Sequence, residues 1–296
     1  LIGGLRYDYE SQSFDNVSQR VDRATGVLGS RTESETEASF GAFLPKLGIT
    51  YDLTDDTLVG FTVQRAYRAG GAALNSVSGT EYEYEPEYAW NYELSLKGRA
   101  LDSRLYYGAN LFYMEWTDQQ INVPQIPGDF TSDIIVNAGE STVMGGELEL
   151  DFRYNRNLRA FASIGVAQTE FQDFTFLQFG SPLSLDGESF PQAPELTAVF
   201  GIDYNFDNGF FLGGDTKYTD SVESRSVLEG GPADTLPSYW IANFRGGWRG
   251  EQWSVIASVE NAFDEQYFRY RFDTPGFQLA TMGRSRTYGL QVKYEF

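Results

Sequence analysis

The sequence predicts an all-β chain, a transmembrane antiparallel up-and-down β-barrel wall of about twelve strands. Three observations predict it. Strand-length segments recur with one oily and one polar face. The connections between them alternate short and long. Aromatic residues gather near the strand ends.

The segments fall at about 2–10, 40–53, 57–67, 88–99, 103–116, 135–153, 158–171, 194–205, 209–221, 238–249, 252–263 and 284–296. Many exceed the usual ~5–6 residues of a strand and suit the ~9–11 residues that cross a bilayer at a tilt. Leu47, Ile49, Tyr51 and Leu53 oppose Lys46, Gly48, Thr50 and Asp52. Trp90, Tyr92, Leu94 and Leu96 oppose Asn91, Glu93, Ser95 and Lys97. Leu148, Leu150 and Phe152 oppose Glu147, Glu149 and Asp151. Leu196, Ala198, Phe200 and Ile202 oppose Thr197, Gly201 and Asp203, and Phe210, Leu212 and Tyr218 oppose Gly213, Asp215 and Lys217. Side chains alternate faces along a strand, so each segment has a greasy side and a charged or small side. Val199, Phe211 and Ile256 break the rule, and 103–116 is apolar on both faces.

The short connections read TDD (54–56), ALDS (100–103), NRN (155–157), FDNG (206–209) and RGEQ (249–252). They are rich in Asp, Asn and Gly, as tight turns require. The long ones span about 11–37, 68–87, 117–134, 172–193, 222–237 and 264–283. Strict alternation of this kind is the pattern of a membrane barrel, with short turns at one rim and long loops at the other. Tyr7 and Tyr9, Tyr113 and Trp116, Tyr239 and Trp240, Trp248 and Trp253, and Tyr267 and Phe268 mark strand ends, as interfacial girdles do. In lipid every backbone polar group needs an internal partner, so such a sheet must close. An inward Glu, Lys or Asp at alternate positions suits a wet or plugged interior better than a packed core. The closing stretch TYGLQVKYEF (287–296) alternates to its end, and twelve strands place that end at the short-turn rim.

Composition narrows the function. The 296 residues hold no Cys and no His, and 16% are aromatic. A disulfide scaffold, thiolate metal sites, and Ser–His or His–metal chemistry are therefore outside this chain's means. A formal charge of −20 argues against nucleic acid as a partner. It fits either a cationic ligand or a solvated acidic surface. No stretch reaches the ~20 apolar residues of a membrane helix. The opening LIGGLRYDYE has no Met, basic n-region or signal core and already alternates like a strand. It reads as the interior of a longer protein.

The motifs resemble those of the TonB-dependent outer-membrane receptors, in the C-terminal part of their barrel. The most specific match is VENAFDEQYF (259–268) followed by GRSRTYGLQVKYEF (283–296), where Ala262 stands in place of the usual leucine. Further matches lie in 51–75, 92–121, 137–150 and 236–249. The resemblance implies a 22-stranded barrel with an N-terminal plug and a TonB box. Residues 1–296 are expected to be the C-terminal portion of that barrel, with no plug in this chain. It implies an outer-membrane, multi-pass location in a Gram-negative bacterium. The implied partners are a ferric siderophore or similar nutrient chelate, the TonB–ExbB–ExbD complex through the plug, and outer-membrane lipid and lipopolysaccharide.

Candidate ligand-binding residues follow from loop position and side-chain chemistry. Arg65 and Arg68 in QRAYRAGGAALN (64–75), with Asn75, suit an anionic chelate or a structural loop entry. Tyr82 and Tyr84 in EYEYEPEYAWN (81–91) suit an aromatic chelator, or a solvated loop beside a girdle. Trp116 and Gln120, with QQIN (119–122) and Phe130, suit a siderophore or sugar, and Arg269 and Arg271 an anion. NAFD (261–264) reads as a turn at a strand end. The paired Glu147 and Glu149 read as contacts to a plug or water and not as an acid–base pair. No catalytic residue, metal ligand, cofactor or phosphate loop is expected. The leading function is active uptake energised through TonB. The alternatives are a passive substrate-specific porin and an outer-membrane enzyme; for the latter no convincing catalytic set is present.

Overall fold

The computed structural model describes the chain except residues 22–23, 76, 127–131, 179–180, 225–234 and 275–276. Twenty strands follow one another: β1 (Ile2–Val21), β2 (Leu28–Thr54), β3 (Thr57–Arg68), β4 (Gly71–Leu74), β5 (Glu81–Tyr84), β6 (Glu87–Ala100), β7 (Leu105–Pro124), β8 (Asp133–Arg153), β9 (Leu158–Asp173), β10 (Thr175–Gln178), β11 (Ser181–Ser184), β12 (Leu196–Asn205), β13 (Phe210–Thr219), β14 (Val222–Glu223), β15 (Thr235–Leu236), β16 (Tyr239–Arg249), β17 (Trp253–Glu260), β18 (Phe268–Thr274), β19 (Phe277–Met282) and β20 (Thr287–Tyr294). Twelve of them form one sheet in the order β1-β2-β3-β6-β7-β8-β9-β12-β13-β16-β17-β20, each antiparallel to the next. The other eight pair as four hairpins, all within long connections.

Register carries the two faces across the whole wall. Leu47 pairs with Val63, Phe61 with Leu94, Leu94 with Leu111, Ile164 with Ala198, Phe244 with Val259 and Ala257 with Leu290. The opposite face pairs Thr62 with Glu93, Ser95 with Asn110, Glu149 with Ser163, and Gly213 with both Asp203 and Arg245. Leu47, Leu111, Leu212 and Leu290 are 59–74% exposed, so the oily rows face outward and do not line a packed core. An apolar surface of this extent demands a non-aqueous neighbour. Along β7 the oily row runs from Leu105 to Tyr113, the ~9–11 residue reach of a tilted membrane strand. Among the described residues no helix is long and apolar enough to cross a membrane.

The polar face holds its own charge network. Arg159 donates to Asp151 at 2.6 Å and to Asp203 at 3.2 Å, and Arg245 donates to Asp203 at 2.7 Å. Lys97, Glu149, Asp151 and Arg159 line a hollow of about 820 Å³ beside it.

Hydrogen bonds tie neighbouring short turns together. Arg99 N donates to Asp56 O, Asn205 N to Asn157 O, Arg249 N to Gly209 O and Glu295 N to Gln252 O. The last of these sets the C-terminal end at the short-turn rim, as the parity of twelve strands requires. Arg156 and the Asn157 amide both donate to Asp207, at 3.0 and 2.9 Å. The Asn157 bond, then the Arg156 charge, hold the Asp207 carboxyl below its ordinary range.

Two expectations change. Residues 11–37 were expected to be a connection. Instead β1 and β2 pair from Ile2↔Gly48 to Val21↔Leu28, while β2 meets β3 only over Lys46–Thr54. The excess is a two-stranded ribbon with one face solvated along its length, while Gln12, Phe14, Thr36 and Ala38 on the other are half-buried. Such a ribbon needs no oily face, so its polar sequence looked like a loop. The segment expected at 103–116 extends to Pro124, which places QQIN inside β7. NAFD is the expected turn. Asn261 is buried at φ 48°, a conformation Asn tolerates. Its side-chain amide donates to Glu265 O and Arg284 O, while Oδ1 accepts from Glu265 N.

Candidate functional site

The long-connection rim is where the chain builds a core. Phe174 and Leu185, the bulkiest of the fully buried side chains, lie in the connection 174–195. With Phe171 they pack on Val123 of β7 and Ala138 of β8, flanked by Ile121, Val136 and Phe190. This connection therefore folds down onto the upper ends of β7 and β8. Trp116 lies at its edge, stacked on Phe190 with ring centroids 5.8 Å apart and planes 3° from parallel. Trp116 pairs with Ala89 and Ser141 in register, on the polar-face side of β7.

The connection 69–86 is pinned to the same two strands. The Gln120 side-chain amide donates to Ala69 O at 2.8 Å and Glu85 O at 3.1 Å. Asn137 donates to Glu85 O at 2.8 Å and accepts from Glu85 N at 2.9 Å. The Tyr82 hydroxyl accepts from Ile135 N at 2.9 Å. Burial pushes the Tyr82 phenol up from its usual value. Tyr84 is 6.4 Å from Tyr82, centroid to centroid.

Glu87 links this block to β3. One carboxylate oxygen accepts from Gln120 N at 2.7 Å, and the other pairs with Arg68 at 3.4 Å. Arg68 and Arg65 stand three apart, so they leave β3 on opposite faces. Arg65 shares the face of Val63 and Phe61, and its guanidinium lies 4.0 Å from the Tyr88 ring centroid. Asn75 closes a local turn, its Oδ1 accepting from Val77 N and Ser78 N. Arg269 and Arg271 sit on β18, Arg269 exposed.

Thus Arg68, Tyr82, Tyr84 and Gln120 come together, with Trp116 beside Phe190. Arg65, Asn75, Arg269 and Arg271 lie apart from that group. Phe130 lies outside the described residues. Glu87, Asn137 and Phe190 were missed. Glu87 lay within EYEYEPEYAWN and Asn137 opens the matched stretch 137–150, but Asn137 and Phe190 act through contacts distant in sequence. Tyr239 and Tyr267, stacked at 4.2 Å, form a further ring pair at this rim. Among the described residues no three Asp, Glu, His or Cys side chains are placed to hold a metal ion.

A single antiparallel wall, greasy outside and charged within, with connections folded across one rim, is the architecture of an outer-membrane β-barrel. The chain belongs to the TonB dependent receptor-like β-barrel family, whose model matches residues 1–262. That family is one of transport receptors of the Gram-negative outer membrane. A similar sequence is the ferric-pyoverdine 358 receptor of Pseudomonas putida, 23% identical over 94% of this chain and 32% of that protein. Among solved structures, the ferric yersiniabactin uptake receptor FyuA of Yersinia pestis superposes with a TM-score of 0.81 at 20% identity, over 99% of this chain and 42% of that one. The closed form of the ferric-catecholate import receptor Fiu of E. coli K12 gives 0.76 at 20%, over 99% and 42%. The copper transporter OprC gives 0.77 at 19%, over 99% and 45%. The chain thus spans less than half the length of these relatives.

Proposed function

We propose that residues 1–296 form the C-terminal portion of the barrel of an outer-membrane receptor. The receptor takes up a ferric siderophore or a similar scarce nutrient chelate, with energy delivered by the TonB complex through a plug domain. The observation that carries this reading is the packing of 69–86 and 174–195 against the upper β7–β8 pair, the first on the face of Gln120 and Asn137 and the second on the face of Val123 and Ala138. It gathers Arg68 and the Tyr82–Tyr84 pair around Gln120 at the long-connection rim, with Trp116 stacked on Phe190. Aromatic faces and a guanidinium recognise flat, oxygen-rich chelates, and a crowded rim favours selective capture over free diffusion. Lower down, the carboxylates Glu147 and Glu149 and the hollow by Arg159 supply a charged surface for a plug.

The similarity to the ferric-pyoverdine 358 receptor of Pseudomonas putida supports the iron reading. The test is growth of a strain lacking the full gene under iron limitation, with single siderophores supplied in turn. Loss of growth and of labelled-iron uptake with one siderophore is the expected result. Unchanged uptake with every siderophore would remove iron as the cargo and leave cobalamin, sugar or another metal chelate to be tried in the same way.

A further inference from the structure

Ser224 is fully buried, yet it lies in the connection between β13 and β16, where side chains are ordinarily solvated. Its hydroxyl makes two contacts to one residue. Oγ accepts from Arg271 N at 2.7 Å and donates to Arg271 O at 2.7 Å. A single hydroxyl thereby satisfies both backbone groups on the open edge of β18, where an unpaired edge would otherwise need water.

The backbone of the same segment faces a third connection. Gln192 N donates to Glu223 O at 2.8 Å, and the Gln192 side-chain amide donates to Ser224 O at 3.2 Å. Gln192 holds φ at 58°, left-handed backbone that a non-glycine residue keeps only where its surroundings fix it. Two residues earlier stands Phe190. Its N–H donates to Thr169 Oγ1 at 2.8 Å, and its ring meets Phe171 at 4.6 Å and Trp116 at 5.8 Å.

These contacts form one chain from the β18–β19 hairpin through Ser224 and Gln192 to the Trp116–Phe190 stack. We propose that Ser224 is a positioning residue that couples the last three long connections into one unit. A contact made on the β18–β19 hairpin, which carries exposed Arg269, then alters how Phe190 covers Trp116. The inference does not depend on which cargo the receptor takes. It assigns coupling, and it places no ligand on Ser224.

The test is hydrogen–deuterium exchange on the full-length receptor in lipid nanodiscs, comparing wild type, Ser224→Ala and Gln192→Ala. Ser224→Ala is expected to speed exchange about tenfold in two separate segments, 268–274 and 186–193, with β6 and β20 unchanged. Faster exchange in 268–274 alone would reduce Ser224 to a local tie and overturn the coupling. Gln192→Ala keeps the wall and the Ser224 hydroxyl intact and guards against misfolding of the first variant. It is expected to speed exchange in 268–274, which Gln192 does not touch, by a smaller factor. Wild-type exchange there would equally overturn the proposal.

Discussion

The Phe161 ring of β9 lies over Gly201 of β12, its register partner on the polar face. A Cβ at position 201 would run into that ring, whereas a Cβ at Gly108 would meet nothing within 4 Å. The glycine thus lets an aromatic residue lie flat against the wall, and Arg159 covers it from 4.8 Å. Gly201→Ala is expected to destabilise the receptor by about 1–2 kcal/mol, because the ring must swing out of its place. Gly108→Ala should stay within about 0.5 kcal/mol of wild type. Urea unfolding from lipid, followed by tryptophan emission, reads both. Equal effects would mean that the Phe161–Gly201 contact is not a packing constraint.

The Arg159 network predicts salt sensitivity. Arg159→Met leaves Asp203 with Arg245 but strips Asp151 of its cation. Arg159 is 40% exposed on its side chain, so screening reduces the loss to about 1 kcal/mol or less. The difference between variant and wild type should shrink further in 1 M salt. A loss that grows with salt would contradict an ion-pair origin.

The tie between the turns 154–157 and 206–209 predicts a pH dependence. The folded Asp207 pKa lies below the ordinary value of 3.8. Its contribution is therefore complete above that value and is lost as pH falls through the depressed folded value. Asp207→Ala should be less stable than wild type at pH 7 and indistinguishable from it in strong acid. Thermal unfolding of the two proteins across this range checks the sign; a gap that widens on acidification would refute it.

Gln120→Ala removes both amide donors that hold Ala69 O and Glu85 O. Ala69 O is left short, at a local cost of about 1–3 kcal/mol, while Glu85 O keeps the Asn137 amide. The expected outcome is faster cleavage by a glutamate-specific protease at Glu81 or Glu83, with the wall intact. An unchanged cleavage rate would show that 69–86 is held by other contacts.

The wall was legible in the sequence because period-two alternation is enforced by the neighbours of each face. Leu94 and Leu111 must both point to lipid, and each declares it alone. Strand order followed from the short turns. The β1–β2 ribbon was not legible, since the sequence of Ser11–Val21 and Leu28–Ser39 carries no apolar row at alternate positions to mark it. The site was legible in part. The chemistry of Arg68, Tyr82 and Gln120 stood out, but their convergence depends on Glu87 and Asn137 and on 69–86 folding back onto β7 and β8. Pairings such as Asn137 with Glu85 are set by tertiary packing, which leaves no local pattern. Arg65 and Arg68 looked alike in sequence, and only strand parity separates them.

The central claim is that one face of this wall meets lipid and the other meets water. It is tested most directly by single cysteines, introduced at Leu111, Leu212 and Leu290 and at Glu149, Asp215 and Lys293 in the full receptor. Each is spin-labelled in a bilayer and probed with oxygen and with a water-soluble nickel chelate. The account predicts oxygen-dominated relaxation at the three leucine positions and chelate-dominated relaxation at the other three. Leucine-position labels as open to the chelate as those at Glu149, Asp215 and Lys293 would contradict it.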